Sequence, residues 1–407
     1  MRKFIAIIFT LCIAGGCRAQ QYDSIYRYLT LDTILSYPSI TISNCSYLRQ
    51  SVYEDELVVT YHNSRLKSDT VSFLRINMSD YRSDSIHVVW PGLRDLMIQK
   101  NLSALSAVAY RKDFIVVSLG QDFVVYSLAV NGEYVETDYF AMPSDLGYGY
   151  AKMIDDSIMF FADNYLNNAH PVKIFTFNLH THTLQHLREP KYNIPLLSYV
   201  RPFKYVDVST NGIVFANRNE YSFQTYDRQL ILQDTVIGDT LDWQPIPSSA
   251  VDSMLLLDDS EAGARSSIAT AAWLKSHALN WVYMLDSTHV MCAIKLPKDR
   301  WYSYPYALMV IDIWEKTEEG WKKSKSSILD KGKLTNGKIG KDYFTLEFLS
   351  GTSVVVSGTK IITISGDGSV PNPIGLTPEQ YYDKRERYYL ENKPFLQIKF
   401  YKHSLCD

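Results

Sequence analysis

Apolar and polar residues alternate in short runs along almost the whole chain, each about four to eight residues long. Residues 57–61, 71–76 and 85–90 form a first group. A second spans 105–110, 114–118, 123–130 and 134–140, and a third 150–154, 157–161, 172–178 and 183–187. The fourth holds 203–208, 212–216, 221–226 and 229–233, the fifth 280–285, 289–294, 307–314 and 321–326. The last comprises 343–348, 353–356, 360–364 and 395–401. Period two sends successive side chains to opposite faces of a strand, and these runs are rich in Val, Ile, Tyr, Phe and Thr, which suit a pleated surface. Turn pairs such as Asn131-Gly132, Asn211-Gly212, Asn336-Gly337 and Asp367-Gly368 punctuate them. Quartets of strands recurring roughly every 45 to 55 residues are the spacing of propeller blades. The pattern therefore predicts an all-β chain, a β-propeller of six four-stranded blades. Seven blades or two β-sandwich domains are the alternatives. The extended segment 24–34 is expected to close the ring beside the last strand. Helical insertions are predicted near 260–279, where 267–276 is alanine-rich, and near 377–392.

The N-terminus departs from this pattern. Arg2 and Lys3 precede an apolar run from Phe4 to Ala14, too short to span a bilayer and the right length for the core of a signal peptide. Ala14, Gly15 and Gly16 lead into Cys17. This predicts a signal peptide over 1–16, lipidation of Cys17, and a single propeller domain over 17–407. Cleavage after Ala19, discarding Cys17, is the rival. No later stretch is apolar for long enough to cross a membrane.

Charge narrows the partners. Without Arg2 and Lys3 the 41 basic residues become 39 against 44 acids, a net charge of −5. That balance gives no footprint for nucleic acid. Three cysteines lie beyond the signal and lipidation positions: Cys45, Cys292 and Cys406. They have no metal-ligand spacing; a Cys45–Cys406 bridge or buried thiols are the options. Tyrosine is abundant at 30 residues, which fits strand propensity and also supplies flat faces for a ligand.

With Ala14-Gly15-Gly16-Cys17, a mature chain just under 400 residues and repeating strand quartets, the sequence resembles the β-propeller lipoproteins common in Bacteroidetes. Asp followed by Ser or Thr and then an apolar residue or Thr recurs from Asp23, Asp32, Asp69, Asp84, Asp156, Asp234, Asp239, Asp252 and Asp286. It resembles the O-glycosylation acceptor of that phylum, and is equally the way a turn hands over to a strand. The resemblance implies a lipid-anchored protein of the outer membrane or periplasm.

Candidate chemistry is sparse. His180, His182 and His186 have a spacing that could chelate a metal on a strand, but residues 178–183 read as a hairpin turn with these side chains in solvent. Asp155-Asp156 and Asp258-Asp259 are adjacent, so on a strand they face opposite ways and form no catalytic dyad. Residues 365–369 read as a turn rather than a calcium loop. No GxSxG, Walker A or HExxH motif is present. No metal or cofactor is expected. The candidate ligand residues are Tyr148, Tyr150, Arg300, Trp301 and Tyr302, aromatics with a guanidinium at positions expected to fall on connections at a channel mouth. The expected function is envelope-anchored, non-catalytic binding or scaffolding, with a glycan or protein partner. The alternative is a carbohydrate-active hydrolase or lyase with a channel-facing site.

Overall fold

The computed structural model describes residues 23–41, 48–61, 69–99, 105, 107–142, 150–155, 158–162, 174–188, 206–209, 212–217, 220–239, 243–257, 261–297, 309–329, 353–366 and 395–407. A short strand β1 (Asp23–Ser24) and the long β2 (Leu29–Thr41) come first. The first sheet holds β3 (Gln50–Tyr53), β4 (Glu56–Thr60), β5 (Thr70–Asn77) and β6 (Ser83–Val89), followed by helix α1 (Leu93–Gln99). The second holds β7 (Ala107–Arg111), β8 (Phe114–Leu119), β9 (Asp122–Leu128) and β10 (Tyr134–Ala141). The third holds β11 (Tyr150–Met153), β12 (Ile158–Ala162), β13 (Ile174–Asn178) and β14 (Thr183–Arg188). The fourth holds β15 (Val206–Ser209), β16 (Gly212–Asn217), β17 (Ser222–Tyr226) and β18 (Leu232–Ile237). Helices α2 (Ser248–Leu255) and α3 (Ala262–Lys275) intervene. The fifth sheet holds β19 (Ala278–Met284), β20 (His289–Lys295), β21 (Met309–Thr317) and β22 (Gly320–Leu329), with β1 added in parallel at its outer edge. The sixth holds β23 (Ser353–Ser357), β24 (Lys360–Gly366) and β25 (Phe395–His403), and β2 completes it antiparallel to β25.

This is an all-β propeller arrangement of four-stranded antiparallel sheets. Each sheet buries its faces against its two neighbours. Val58 and Phe73 of the first meet Val108 and Val117 of the second. Val116 and Phe123 of the second meet Ala151 and Phe175 of the third. Ile174, Phe215 and Val282 join the third, fourth and fifth. Met291 and Ile313 of the fifth meet Val356 and Ile361 of the sixth, and Phe400 of the sixth returns to Leu57 and Leu74 of the first. Middle strands are thus buried on both sides, which is why all six residues of β8 are buried. Outermost strands are more exposed: β14 is open along nearly its whole length, and β6 alternates between buried and exposed residues toward its end.

The outer turns repeat a device. Asn77, Asn178 and Asp227 each accept hydrogen bonds at Oδ1 from backbone N–H groups two to four residues on, closing the turn before the outermost strand. In each turn a non-glycine residue is left-handed: Tyr81 (φ 60°), His182 (φ 53°) and Leu230 (φ 59°). That conformation costs roughly 1–2 kcal/mol, and a contact to the preceding sheet offsets it in each case. Tyr81 donates its hydroxyl to Asp32 and sets its ring edge-on to Phe400 at 5.1 Å. His182 pairs through Nε2 with Asp138 at 2.5 Å and stacks on Phe140 at 4.9 Å. Leu230 is fully buried and its carbonyl accepts Arg188 Nε at 3.0 Å. Leu230→Ala is therefore expected to cost about 2–4 kcal/mol despite lying in a turn; a denaturant midpoint equal to wild type would show that the turn does not anchor the fourth sheet.

Some expectations need correction. His180 and His182 stand exposed in a hairpin turn as expected, but the left-handed backbone of His182 also sets its ring, 38% exposed, against Asp138 and Phe140 of the second sheet. The last strand of the fourth sheet runs Leu232–Ile237, later than predicted, since the Asp227 turn occupies residues 227–231. Helix α2 and strand β3 had no clear periodic signal. Cys406 is a free thiol, and so is buried Cys292, whose pKa burial raises well above the ordinary value. Residues 343–348 and 377–392, with Cys45, lie outside the described residues.

Candidate functional site

In each sheet the first strand lies innermost, and these strands meet around the axis, β3 against β7, β7 against β11, and β15 against β19. Polar ties join them there: Tyr110 N donates to Ser51 Oγ at 3.2 Å, Lys152 Nζ to the Val208 carbonyl at 2.5 Å, and Met284 N to Asp207 Oδ2 at 2.9 Å. Antiparallel order then places the first-to-second and third-to-fourth connections on one face of the ring. None of those is longer than five residues. The other connections leave from the opposite face, and most of the chain outside the strands belongs to them: 163–173, 189–205, 238–277, 296–308, 330–352 and 367–394 among others. One face is therefore pared to tight turns and the other carries the added chain, as ligand-binding faces on rigid scaffolds do.

Of the candidate residues, one is described at that second face. Tyr150 opens β11 there. Tyr148 lies in the segment joining β10 to β11, and Arg300, Trp301 and Tyr302 in the segment joining β20 to β21; these four are outside the described residues, as is Cys17. Asp155, by contrast, follows β11 on the tight-turn face.

Described residues between the fourth and fifth sheets give this face its chemistry. Trp243 stacks on Tyr221 at 5.5 Å and on His277 at 5.1 Å. Two hydrogen bonds hold the pair of connecting segments together, Gln244 N to His277 Nδ1 at 2.9 Å and His277 N to the Gln244 carbonyl at 2.7 Å. Tyr221 donates its hydroxyl to buried Asp312 and accepts Trp314 Nε1–H at 3.2 Å. Lys323 Nζ pairs with Asp312 at 3.0 Å and lies 5.0 Å from the Tyr221 ring centre. Burial, with Cys292 and Asp312 nearby, pushes the Tyr221 phenol far above its ordinary pKa, so it stays a donor. Buried Lys295, at the end of β20, donates to the Trp273 carbonyl and sits 4.5 Å from that ring. It anchors α3 over the strand from which the Arg300–Tyr302 segment departs. Arg49 enters β3 at the same face, and burial lowers its pKa. Asp312 among them is committed to Tyr221 and Lys323. Glu220 precedes Tyr221 and Asp239 follows Gly238 on the same connections, so the face carries both signs of charge.

Gly238 shows how tightly Tyr221 is held. A Cβ at this glycine would lie 2.3 Å from the Tyr221 ring. Gly238→Ala should displace the ring from Trp243 and Asp312 and destabilise the protein by about 1–3 kcal/mol, with a change in near-ultraviolet circular dichroism. An unchanged spectrum and midpoint would mean the ring has room to move.

No helix among the described residues is long and apolar enough to cross a membrane. No protein-family model matches the sequence, and the search of curated proteins gave no match. Solved structures are similar at low identity. A Bacteroides fragilis chain named as an exported protein aligns with a TM-score of 0.54 and 9% identity, over 95% of this chain and 98% of that one. A DUF4221-family chain from Bacteroides vulgatus gives 0.47 and 12%, over 92% and 98%. A regucalcin from Agrobacterium tumefaciens gives 0.42 and 8%, over 92% and 95%. The first of these shows that this chain shares its fold with the Bacteroides fragilis protein.

Proposed function

We propose that the chain is an exported, lipid-anchored envelope protein whose six sheets are the six blades of one closed propeller, and that it binds a glycan or envelope protein without transforming it. The observation that carries this is the concentration of long connections on one face of a ring whose other face is tight turns, with Trp243 stacked there between Tyr221 and His277. Tyr148, Tyr150, Arg300, Trp301 and Tyr302 are proposed for that binding face, which also holds Trp243 and His277. The signal-like N-terminus and Cys17 support export and anchoring, as does the fold shared with a Bacteroides protein named as exported. Aromatic faces stack on sugar rings, and a guanidinium supplies paired donors to hydroxyls or carboxylates.

The test is to incubate the purified protein with a polysaccharide panel and to read both electrophoretic retardation and product release. Retardation without products is the expected result, and Trp301→Ala/Tyr302→Ala should remove it while leaving the fold intact. New reducing ends or unsaturated products would replace this reading with a hydrolase or lyase. No retardation by any polymer would turn the search to a protein partner. Cys17→Ala should move the protein from the membrane to the soluble fraction; retention in the membrane would rule out the lipid as the tether.

A further inference from the structure

The chain ends in a fixed position against the fifth sheet. Leu405 is fully buried between the fifth and sixth sheets. Ser404 N donates to the Tyr28 carbonyl at 3.0 Å, and Lys325 Nζ donates to the carbonyls of Leu405 at 3.0 Å and Asp407 at 3.1 Å. These contacts hold Cys406 beside the turn between β19 and β20. In that turn Asp286 Oδ1 accepts the backbone N–H groups of Thr288 at 2.7 Å and His289 at 2.8 Å. Both Asp286 oxygens lie 3.0 Å from His289 Nδ1. One ligand atom from each of Asp286, His289 and Cys406 falls within 4.8 Å of the other two, and all three residues are half-buried.

We propose that Asp286, His289 and Cys406 form a binding site for one divalent transition-metal ion of the zinc class, stapling the C-terminal tail to the fifth sheet where the ring closes. A thiolate, an imidazole and a carboxylate together suit a borderline-soft ion, not magnesium or calcium. Zinc takes sulfur at about 2.3 Å and nitrogen or oxygen at about 2.0–2.2 Å, so ligand atoms around one ion sit roughly 3.3–3.8 Å apart. The Asp286–His289 pair at 3.0 Å would open by a few tenths of an ångström, and ligand atoms up to 4.8 Å apart would close in, to take one ion between them. His403 adds an independent pointer. Its Nε2 faces the Gly358 carbonyl at 3.1 Å, while its Nδ1 is buried with no hydrogen-bond partner. With Nε2–H donated to a carbonyl, Nδ1 carries a lone pair, the arrangement of metal-ligating histidines. Asp286 and His289 lie within its electrostatic reach, and burial lowers its pKa, keeping it neutral. Burial and Asp286 raise the Cys406 thiol to about 12. Metal binding would release that thiol proton to solvent.

Titration of the purified protein with Co²⁺ as the probe tests this. A sulfur-to-cobalt charge-transfer band and tetrahedral d–d bands should saturate at one ion per chain and disappear on adding Zn²⁺. Cys406→Ser and His289→Ala should each abolish the bands, and His403→Gln should weaken binding about tenfold. Zn²⁺ should raise the Tm of the wild type and leave that of Cys406→Ser unchanged. Absence of bands at stoichiometric Co²⁺ would overturn the assignment. So would bands that survive Cys406→Ser, or a Cys406 found in a disulfide in the protein as isolated.

Discussion

A chain beginning after Thr41 is expected to lose its cooperative unfolding transition. Strand β2 is the outermost strand of the sixth sheet and pairs with β25 from Leu29 opposite His403 to Thr41 opposite Phe395. Without it, β25 becomes an edge with a row of unpaired backbone groups. The buried Leu396, Ile398 and Phe400 on that strand seal the sixth sheet against the first. The loss also removes Asp32, which accepts Tyr81 and lies 3.1 Å from Lys402 Nζ. A propeller whose last sheet is completed by an N-terminal strand is tied across the ring by that pairing, so the penalty should exceed about 5 kcal/mol, the lower bound of a whole domain's stability. Circular dichroism melts of the truncated and full chains measure this. A truncated chain with a sharp, wild-type transition would mean that the ring is held by packing between sheets and not by its closing strand.

Lys323→Met should be the most damaging single surface-to-seam substitution. Asp312 is buried, its side chain 5% exposed, and Lys323 pairs with it at 3.0 Å while itself 28% exposed. Removing one member of a buried pair strands the other and costs about 3–5 kcal/mol; partial exposure of the lysine brings the expectation to about 2–3 kcal/mol. Replacing both, as Asp312→Leu/Lys323→Met, should recover only part of the loss, because the apolar pair carries no ionic desolvation penalty but leaves the buried Tyr221 hydroxyl without its acceptor. A double-mutant cycle in urea gives the coupling directly. If Lys323→Met proves neutral, the Tyr221 hydroxyl alone suffices for the carboxylate.

Acid should loosen the ring through its carboxylates. Hydrogen bonds to Tyr81 and Lys402 hold Asp32 below the ordinary carboxylate range, the Arg94 and Gly92 N–H groups do so for Asp69, and Lys316 with Trp321 for Asp234. Burial alone would raise Asp286, but the N–H of Thr288 and the His289 side chain outweigh it and bring the carboxyl to about 2. Each folded-state pKa lies below the unfolded one, so each contribution is complete above about pH 4 and is lost as pH falls toward the folded value. Urea midpoints should therefore drop between about pH 4 and pH 2, and drop less in Asp234→Asn. An equal drop in that variant would assign the acid sensitivity to other groups.

By itself the sequence determined the strands, most of their boundaries and the class of fold. Alternation such as 71–76 and continuous apolar runs such as 114–118 report burial on one or both faces of a strand, a local property of spacing. It also marked the segment at 24–34 as a closing strand, because an extended N-terminal run needs a partner. Tertiary structure alone decided how the pieces meet. The left-handed conformations of Tyr81, His182 and Leu230 have no local signature in non-glycine residues, since contacts to another sheet sustain them. Asp286, His289 and Cys406 show no ligand spacing because the tail reaches the β19–β20 turn only once the ring has closed. The same holds for the two unlike faces: connection lengths are written in the chain, but only antiparallel order around a common axis sends the long ones to one side.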